Sequence, residues 1–119
     1  MGHNQQFGAA GEQRAVEHLI AAGWQILDRN WRCRAGEIDV VALDGDTLVC
    51  LEVKTRSTQR FGPPVAAITP RKLGRMRQLC ALWLQAHQVS VKQVRLDVIS
   101  VVWPPTGPVE LEHLRGVGQ

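Results

Sequence analysis

The stretch GEIDVVALDGDTLVCLEVKTR, residues 36–56, decides the fold. Residues 37–43 and 47–54 are rich in β-branched side chains and flank Asp44-Gly45, a dipeptide typical of tight hairpin turns. We therefore predict two antiparallel strands. Because side chains alternate between the faces of a strand, Asp39 lies on one face of the first strand, and Glu52 and Lys54 share one face of the second.

The length of the turn decides whether these side chains meet. A two-residue loop at Asp44 and Gly45 makes Asp39 diagonal to Glu52, and a four-residue loop over residues 44–47 makes them directly opposed. Either loop puts both carboxylates and Lys54 on one face, whereas a three-residue loop with a bulge does not. Opposed Cβ atoms lie about 5 Å apart and diagonal ones about 7 to 8 Å apart, so two carboxylates can share one cation.

Two carboxylates in an otherwise apolar stretch are costly unless a cation compensates their charge. Mg²⁺, or Mn²⁺ in its place, takes oxygen ligands and can position a water for attack on phosphorus. Lys54 would then hold that water or stabilise charge developing on the phosphate. The alternative is that Asp39 and Glu52 face solvent and Lys54 pairs with one of them.

Periodicity and turn residues give the other elements. A helix is predicted over residues 11–22, ended by Gly23, with an apolar stripe of Ala15, Val16, Leu19 and Ile20. A strand is predicted over residues 24–31, an ordered loop over 56–68, a strand over 94–103 and a short edge strand over 109–114. A second helix is capped by Thr69, has Pro70 at its first position and runs to about His87. Its apolar stripe is Leu73, Met76, Cys80, Trp83 and Leu84.

The net charge of +3 says little, but the charges are segregated. Residues 53–96 contain no acidic side chain, so all 11 carboxylates lie elsewhere, while the basic side chains there are Lys54, Arg56, Arg60, Arg71, Lys72, Arg75, Arg77, Lys92 and Arg95. Four of them crowd the start of the second helix, where they oppose the helix dipole. We expect phosphate contacts from Arg56, Arg60, Arg71, Lys72 and Arg75. The alternative is a set of solvated faces scattered in space.

Length and composition fit one domain spanning residues 1–119. With 45% hydrophobic and 21% charged residues, the chain is neither a disordered nor a membrane protein. Its first ten residues are polar or small, with no basic stretch leading into an apolar one, so we expect no export signal there. The three cysteines show no C-x-x-C pair, and Cys50 and Cys80 sit in apolar patterns, which suits a reducing cytoplasm.

Seven segments carry a family resemblance: Arg29-Asn30-Trp31-Arg32, Gly36-Glu37-Ile38-Asp39, Glu52-Val53-Lys54-Thr55-Arg56, Phe61-Gly62, Thr69-Pro70-Arg71-Lys72, Arg95-Leu96-Asp97-Val98 and Glu112-His113-Leu114. Together they resemble the bacterial YraN family of the PD-(D/E)XK nuclease superfamily, which is similar to Holliday-junction resolvases. The resemblance implies an α/β fold with a restriction-endonuclease-like core, a mixed sheet in the order αβββαβ and helices packed on it. Ile38 stands where the superfamily pattern has proline, a variable position.

The resemblance also implies roles for single residues. It implies that Asp39 and Glu52 are metal ligands, that the Val53 carbonyl assists them, and that Lys54 is the catalytic lysine. Glu12 lies in line with Val16 and Leu19 and so points toward the sheet, where resolvase-like relatives use a first-helix glutamate as a ligand. The alternative is a glutamate that only favours the helix dipole.

Asp97, His113 and the tryptophans are weaker candidates. Asp97 is as compatible with an ion pair to Arg95 as with chemistry, and His113 with a structural role. The four tryptophans, Trp24, Trp31, Trp83 and Trp103, occupy apolar positions and are expected in the core.

Two main functions follow. The first is a metal-dependent endonuclease acting on DNA, in particular branched or structured DNA, with a homodimer expected by analogy. The second is a non-catalytic nucleic-acid-binding or adaptor protein that keeps the fold. A third, more distant option is a homo-oligomeric interaction module whose basic helix binds an acidic partner protein.

Overall fold

In the computed structural model, which describes residues 2–58, 60 and 62–118, a five-stranded sheet separates two helices. The strands are β1 (Gln25–Cys33), β2 (Gly36–Asp44), β3 (Thr47–Arg56), β4 (Gln93–Val102) and β5 (Glu110–Leu114). They lie in that order across the sheet, with β3 and β4 parallel and the other neighbours antiparallel. The helices are α1 (Gly2–Ala21) and α2 (Pro70–His87). This mixed α/β fold is the predicted one and is compatible with a restriction-endonuclease-like core.

The β2–β3 hairpin has a two-residue loop that lies one residue later than the two-residue alternative and inside the four-residue one. Asp44 pairs with Thr47, so the loop is Gly45-Asp46 rather than Asp44-Gly45. Gly45 has a φ of 60°, which glycine adopts without steric cost at the first loop position. The pairing of Val40 with Leu51 therefore matches the register of the four-residue alternative. The paired residues end at Val40 and Leu51, and the same register continued by one residue sets Asp39 opposite Glu52.

The two faces of the sheet carry separate hydrophobic clusters. On the α1 face, Val49 and Leu51 of β3 pack with Ala15, Val16 and Leu19. On the α2 face, Leu48 and Cys50 of β3 pack with Val41 and with the helix. The alternation in β3 is the predicted one, because Glu52 and Lys54 continue the series of Leu48 and Cys50 toward the start of α2.

Helix α1 begins earlier than the predicted residue 11. Glutamine and alanine in residues 5–10 favour helix without contributing an apolar stripe, so periodicity alone did not extend the prediction over them. The helix ends as predicted before Gly23, which has a φ of 90°. Ile20 was wrongly assigned to the buried stripe, since it is 57% exposed.

Helix α2 matches its prediction closely. The Thr69 hydroxyl accepts a hydrogen bond from the Lys72 amide at 3.1 Å, and Pro70 occupies the first turn. The predicted stripe packs against the sheet, with Met76, Cys80 and Trp83 buried and Leu73 and Leu84 partly buried. The Sγ atoms of Cys50 and Cys80 lie 2.8 Å apart in this interface.

The remaining segments follow the predictions within a few residues. β1, β4 and β5 occupy the places predicted for strands, and the loop before α2 contains a 3₁₀ turn, Pro64–Ala67. Gln59 and Phe61, which belong to the predicted loop, lie outside the described residues, as do Met1 and Gln119. The tryptophans are core residues as expected: Trp24 and Trp83 are buried, and Trp31 and Trp103 pack against the clusters. No helix in the described part is long and apolar enough to cross a membrane.

Asp97 is fully buried in β4 and belongs to a closed polar network. Its carboxylate accepts hydrogen bonds from Arg95 at 2.9 and 3.0 Å, from His113 at 2.8 Å and from the Gly116 amide at 3.0 Å. Burial raises the pKa of Asp97, but the bonds from His113 and Arg95 outweigh it and hold the pKa below its usual value. The network confirms the pairing of Asp97 with Arg95 and gives His113 a structural partner.

Helix α1 lies directly against Thr55 of β3 at Gly11. A Cβ atom at this position would overlap the side chain of Thr55, whereas a Cβ at Gly8 would meet nothing within 4 Å. Gly11 therefore sets how near α1 lies to the end of β3, and with it the position of the adjacent Glu12.

We expect Gly11→Ala to lower the free energy of unfolding by about 1 to 3 kcal/mol, because the methyl group overpacks the α1–β3 contact. Gly8→Ala is the matched control: it should raise stability by about 0.5 to 1 kcal/mol through helix propensity alone. Urea denaturation of both variants measures the difference. Equal stabilisation by both substitutions would contradict the close approach.

Candidate functional site

A cleft of about 420 Å³ opens between the β2–β3 hairpin and the start of α2. Its acidic lining comes from Glu37, Asp39 and Glu52 of the strands, and its basic lining comes from Arg71, Lys72 and Arg75 of the helix. We call it the carboxylate cleft. The hairpin register brings the two predicted metal ligands, Asp39 and Glu52, to this one place.

Asp39 is held by the backbone of β3. Its Oδ2 accepts a hydrogen bond from the Val53 amide at 2.8 Å. Burial, together with the negative charges of Glu12 and Glu52, raises the pKa of Asp39 to about 6, against the opposing effect of the bond from the Val53 amide. The cleft therefore holds an ionised Asp39 at a cost in free energy that a bound cation would relieve. The structure thus shows the Val53 amide bound to Asp39. The role of the Val53 carbonyl as a metal ligand stays a prediction.

Glu52 has one compensated and one uncompensated oxygen. Its Oε1 lies 3.1 Å from the Lys72 Nζ. Its Oε2 is buried and has no hydrogen-bond partner within the described part of the chain. A buried carboxylate oxygen without a donor is costly unless a ligand satisfies it. Because Asp39 lines the same cleft, this unpartnered oxygen of Glu52 fits an oxygen-preferring cation.

Lys54 lies beside the carboxylate cleft rather than in its wall. Its side chain is exposed, and it lines a smaller depression together with Glu52 and Lys72. Across residues 2–58, 60 and 62–118, no carboxylate lies within ion-pair distance of Lys54. The structure thus places Lys54 next to Glu52, with its ammonium group accessible to a bound polyanion.

Glu12 points toward the sheet as predicted, but it is held from β1. Its Oε1 accepts a hydrogen bond from the Asn30 Nδ2 at 2.8 Å and lies 3.6 Å from an Arg29 nitrogen. Burial raises the pKa of Glu12. Glu12 is not among the residues that line the carboxylate cleft, although its charge acts on Asp39.

Asn30 was overlooked as a candidate site residue. It has a φ of 55°, the left-handed region that few non-glycine residues adopt, and asparagine is among those few. Its place in β1, between the pairs Arg29–Val40 and Trp31–Ile38, lies across from Asp39. An asparagine inside a strand is itself unusual, and that signal could have identified it.

The described residues contain no group of three or more His, Cys, Asp or Glu side chains arranged to hold a metal ion. Glu12 is therefore not assembled with Asp39 and Glu52 into a three-carboxylate set. Two carboxylates are sufficient for Mg²⁺, which usually keeps several waters and completes its shell with substrate phosphate.

The basic residues of the acid-free segment, residues 53–96, do not form one continuous surface in the structure. Arg71, Lys72 and Arg75 line the carboxylate cleft, while Arg56 shares the depression of Lys54, and Arg60 is exposed in the loop. Arg77 instead donates a hydrogen bond to the Gly118 carbonyl, and Arg95 is engaged by Asp44 and Asp97. Because β3 and β4 are parallel, Lys92 lies near Thr47, at the end of β3 opposite to Lys54. The positive surface is thus smaller than the acid-free segment suggested.

The fold and the cleft define an α/β protein with paired carboxylates facing a basic helix terminus. A family model described as Uncharacterised protein family UPF0102 matches residues 11–101. A UPF0102 protein of Frankia alni is 54% identical over 109 residues, covering 92% of this chain and 91% of the relative. A UPF0102 protein of Nocardioides sp. is 47% identical over 114 residues, covering 96% and 92%. The chain belongs to the UPF0102 family.

We expect Asp39→Asn to stabilise the metal-free protein at pH 7.5. With a folded-state pKa of about 6 against a usual value of 3.8, the folded protein holds the Asp39 proton more tightly than the unfolded chain does. The wild type therefore loses stability as pH rises through this window, and the asparagine variant does not. Thermal unfolding in EDTA at several pH values measures the difference.

The advantage of Asp39→Asn should vanish below about pH 4, where both side chains are neutral. Glu110→Gln, at the exposed start of β5, controls for the loss of one carboxylate. An asparagine variant that is less stable than the wild type at pH 7.5 would show that the cleft does not disfavour the ionised Asp39.

Proposed function

We propose that this protein is a metal-dependent endonuclease that hydrolyses phosphodiester bonds in DNA, as its resemblance to the YraN family and the PD-(D/E)XK nuclease superfamily implies. One observation carries the proposal. Asp39 and Glu52 share a half-buried cleft in which Glu52 Oε2 is buried without a donor, and basic side chains of α2 form the facing wall. Carboxylates that need a cation beside bases that suit phosphate are the parts that metal-assisted phosphodiester hydrolysis requires.

Asp39 and Glu52 are the residues that would hold Mg²⁺ or Mn²⁺, with the Val53 carbonyl as a further oxygen and Glu12 acting on the site through Asp39. When bound, the cation supplies Lewis acidity and a water of lowered pKa. The Val53 amide keeps the Asp39 carboxylate oriented toward β3. Asn30 keeps Glu12 at the edge of the site.

The basic side chains give the substrate its place. Arg71 and Arg75 are exposed on the cleft wall and suit phosphate contacts that position a strand without reading its sequence. Arg56 and Arg60 extend this surface beyond Lys54. The Lys54 ammonium group, next to Glu52, would stabilise charge that develops on the phosphate or orient the attacking water.

The resolvase resemblance extends the proposal to branched or structured DNA and to a homodimer, since two strands of a junction are cut symmetrically. We place the reaction in the cytoplasm, whose reducing conditions suit the free thiols of Cys33, Cys50 and Cys80.

The second candidate is a non-catalytic nucleic-acid-binding or adaptor protein. The observation that favours it is the ion pair between Lys72 and Glu52, because this pair partly compensates the cleft without any metal. Such a protein would bind DNA through Arg71 and Arg75 and would leave every strand uncut.

A cleavage assay separates the two candidates. Linear, nicked, flapped and four-way DNA would each be incubated with Mg²⁺ or Mn²⁺, and with EDTA as the metal-free reference. We expect metal-dependent cleavage of at least one structured DNA. Under single-turnover conditions, Lys54→Ala should lower the rate by about 10²- to 10³-fold while DNA binding persists, because the loss of one transition-state donor has that effect.

Lys92→Ala is the matched control, since Lys92 lies at the other end of β3 from the site, and its cleavage rate should equal that of the wild type. Cleavage by Lys54→Ala at the wild-type rate would remove Lys54 from the mechanism. DNA binding without cleavage of any substrate in the panel would replace the endonuclease with the adaptor.

A further inference from the structure

Lys72 enters the carboxylate cleft from the first turn of α2. Its Nζ lies 3.1 Å from Glu52 Oε1, and the two side chains are 33% and 31% exposed. The backbone of Lys72 is fixed by its hydrogen bond to the Thr69 cap. A fixed backbone with a long, partly exposed side chain allows the ammonium group to move while the helix stays in place.

The position of Lys72 is central among the charges of the site. Lys72 lines both the carboxylate cleft, with Asp39, and the depression that contains Lys54. Glu52, the carboxylate that pairs with the Lys72 ammonium group, lines both of these cavities as well. Among the described residues, Lys72 is the basic residue within 4 Å of the Glu52 carboxylate.

We infer that Lys72 is a resident counter-ion of Glu52, and that its ammonium group must leave Glu52 when a divalent cation binds at Asp39 and Glu52. The inference rests on the proposed metal site. A dication next to Glu52 would lie within a few ångströms of the ammonium group, and the repulsion between them opposes simultaneous occupation. A partly exposed ion pair is weak, so its release is inexpensive.

The displaced ammonium group has a second role. Lys72 is adjacent to Arg71, which is exposed on the same cleft wall, so a released Lys72 becomes a further phosphate contact. Metal binding and polyanion binding then strengthen each other, because each is favoured by the released state of Lys72. Lys72 is in this sense a positioning residue that couples the two ligands.

Manganese titration of the full chain by calorimetry, without DNA, tests the inference. The four proteins are the wild type, Lys72→Met, Lys72→Arg and Arg71→Met. Lys72→Met removes the competitor and should bind Mn²⁺ roughly fivefold or more tightly than Arg71→Met does, a factor at the upper end for a partly exposed ion pair. Arg71→Met removes one charge from the same turn and measures the general electrostatic effect. Lys72→Arg keeps the pair and should bind like the wild type.

A second measurement tests the coupling between metal binding and DNA binding. Addition of a short DNA duplex should strengthen Mn²⁺ binding to the wild type more than to Lys72→Met. A melting curve of each variant in EDTA verifies folding, and Lys72→Gln replaces Lys72→Met if the methionine variant does not fold.

Each outcome has a separate meaning. Equal gains in Mn²⁺ affinity for Lys72→Met and Arg71→Met, or weaker binding by Lys72→Met, would overturn the role of Lys72 and leave the proposed metal site intact. Binding by Lys72→Met without binding by the wild type would support the competition directly. If no protein of the series binds Mn²⁺, both the metal site and this inference are wrong.

Discussion

The repulsion between Asp39 and Glu52 is the constraint on which the rest of the site depends. The hairpin register places the two carboxylates in one half-buried cleft, where burial and mutual charge raise the pKa of Asp39 to about 6. The start of α2 places three basic side chains opposite these carboxylates: Arg71, Lys72 and Arg75. Positive charge at the start of a helix opposes the helix dipole, so this arrangement is unfavourable for the helix alone. Attraction to the acidic side chains of the strands opposite compensates this unfavourable effect.

Two uncharged residues, Gly11 and Asn30, shape the backbone around the cleft. Gly11 allows α1 to approach Thr55 and so brings Glu12 to the edge of the site. Asn30 adopts a left-handed conformation in β1 and binds Glu12. Unusual backbone conformations concentrate at functional sites, where the surrounding structure maintains them. The buried carboxylate of Asp97 in β4 binds His113 of β5 and the Gly116 amide, and so ties β4 to the last strand and the segment after it.

Much of this arrangement was predictable from sequence because it depends on period-two alternation and on helix capping. The shared face of Asp39 and Glu52, the cap at Thr69 and the stripe of Met76 and Cys80 are of this kind. Contacts between distant segments were not predictable. The ion pair of Lys72 with Glu52, the bond from Asn30 to Glu12 and the exposure of Ile20 depend on how the helices dock on the sheet. The identity of the two loop residues was not predictable, because glycine is accommodated at either position of a two-residue hairpin loop.

We propose that Asp39 and Glu52 together form a divalent-cation site. Anomalous diffraction from crystals of the protein grown with MnCl₂ locates the cation directly. We expect one strong anomalous peak between the carboxylates of Asp39 and Glu52, and its disappearance in crystals of an Asp39→Asn, Glu52→Gln double variant. A peak elsewhere, or a peak at this position that persists in the double variant, would contradict it.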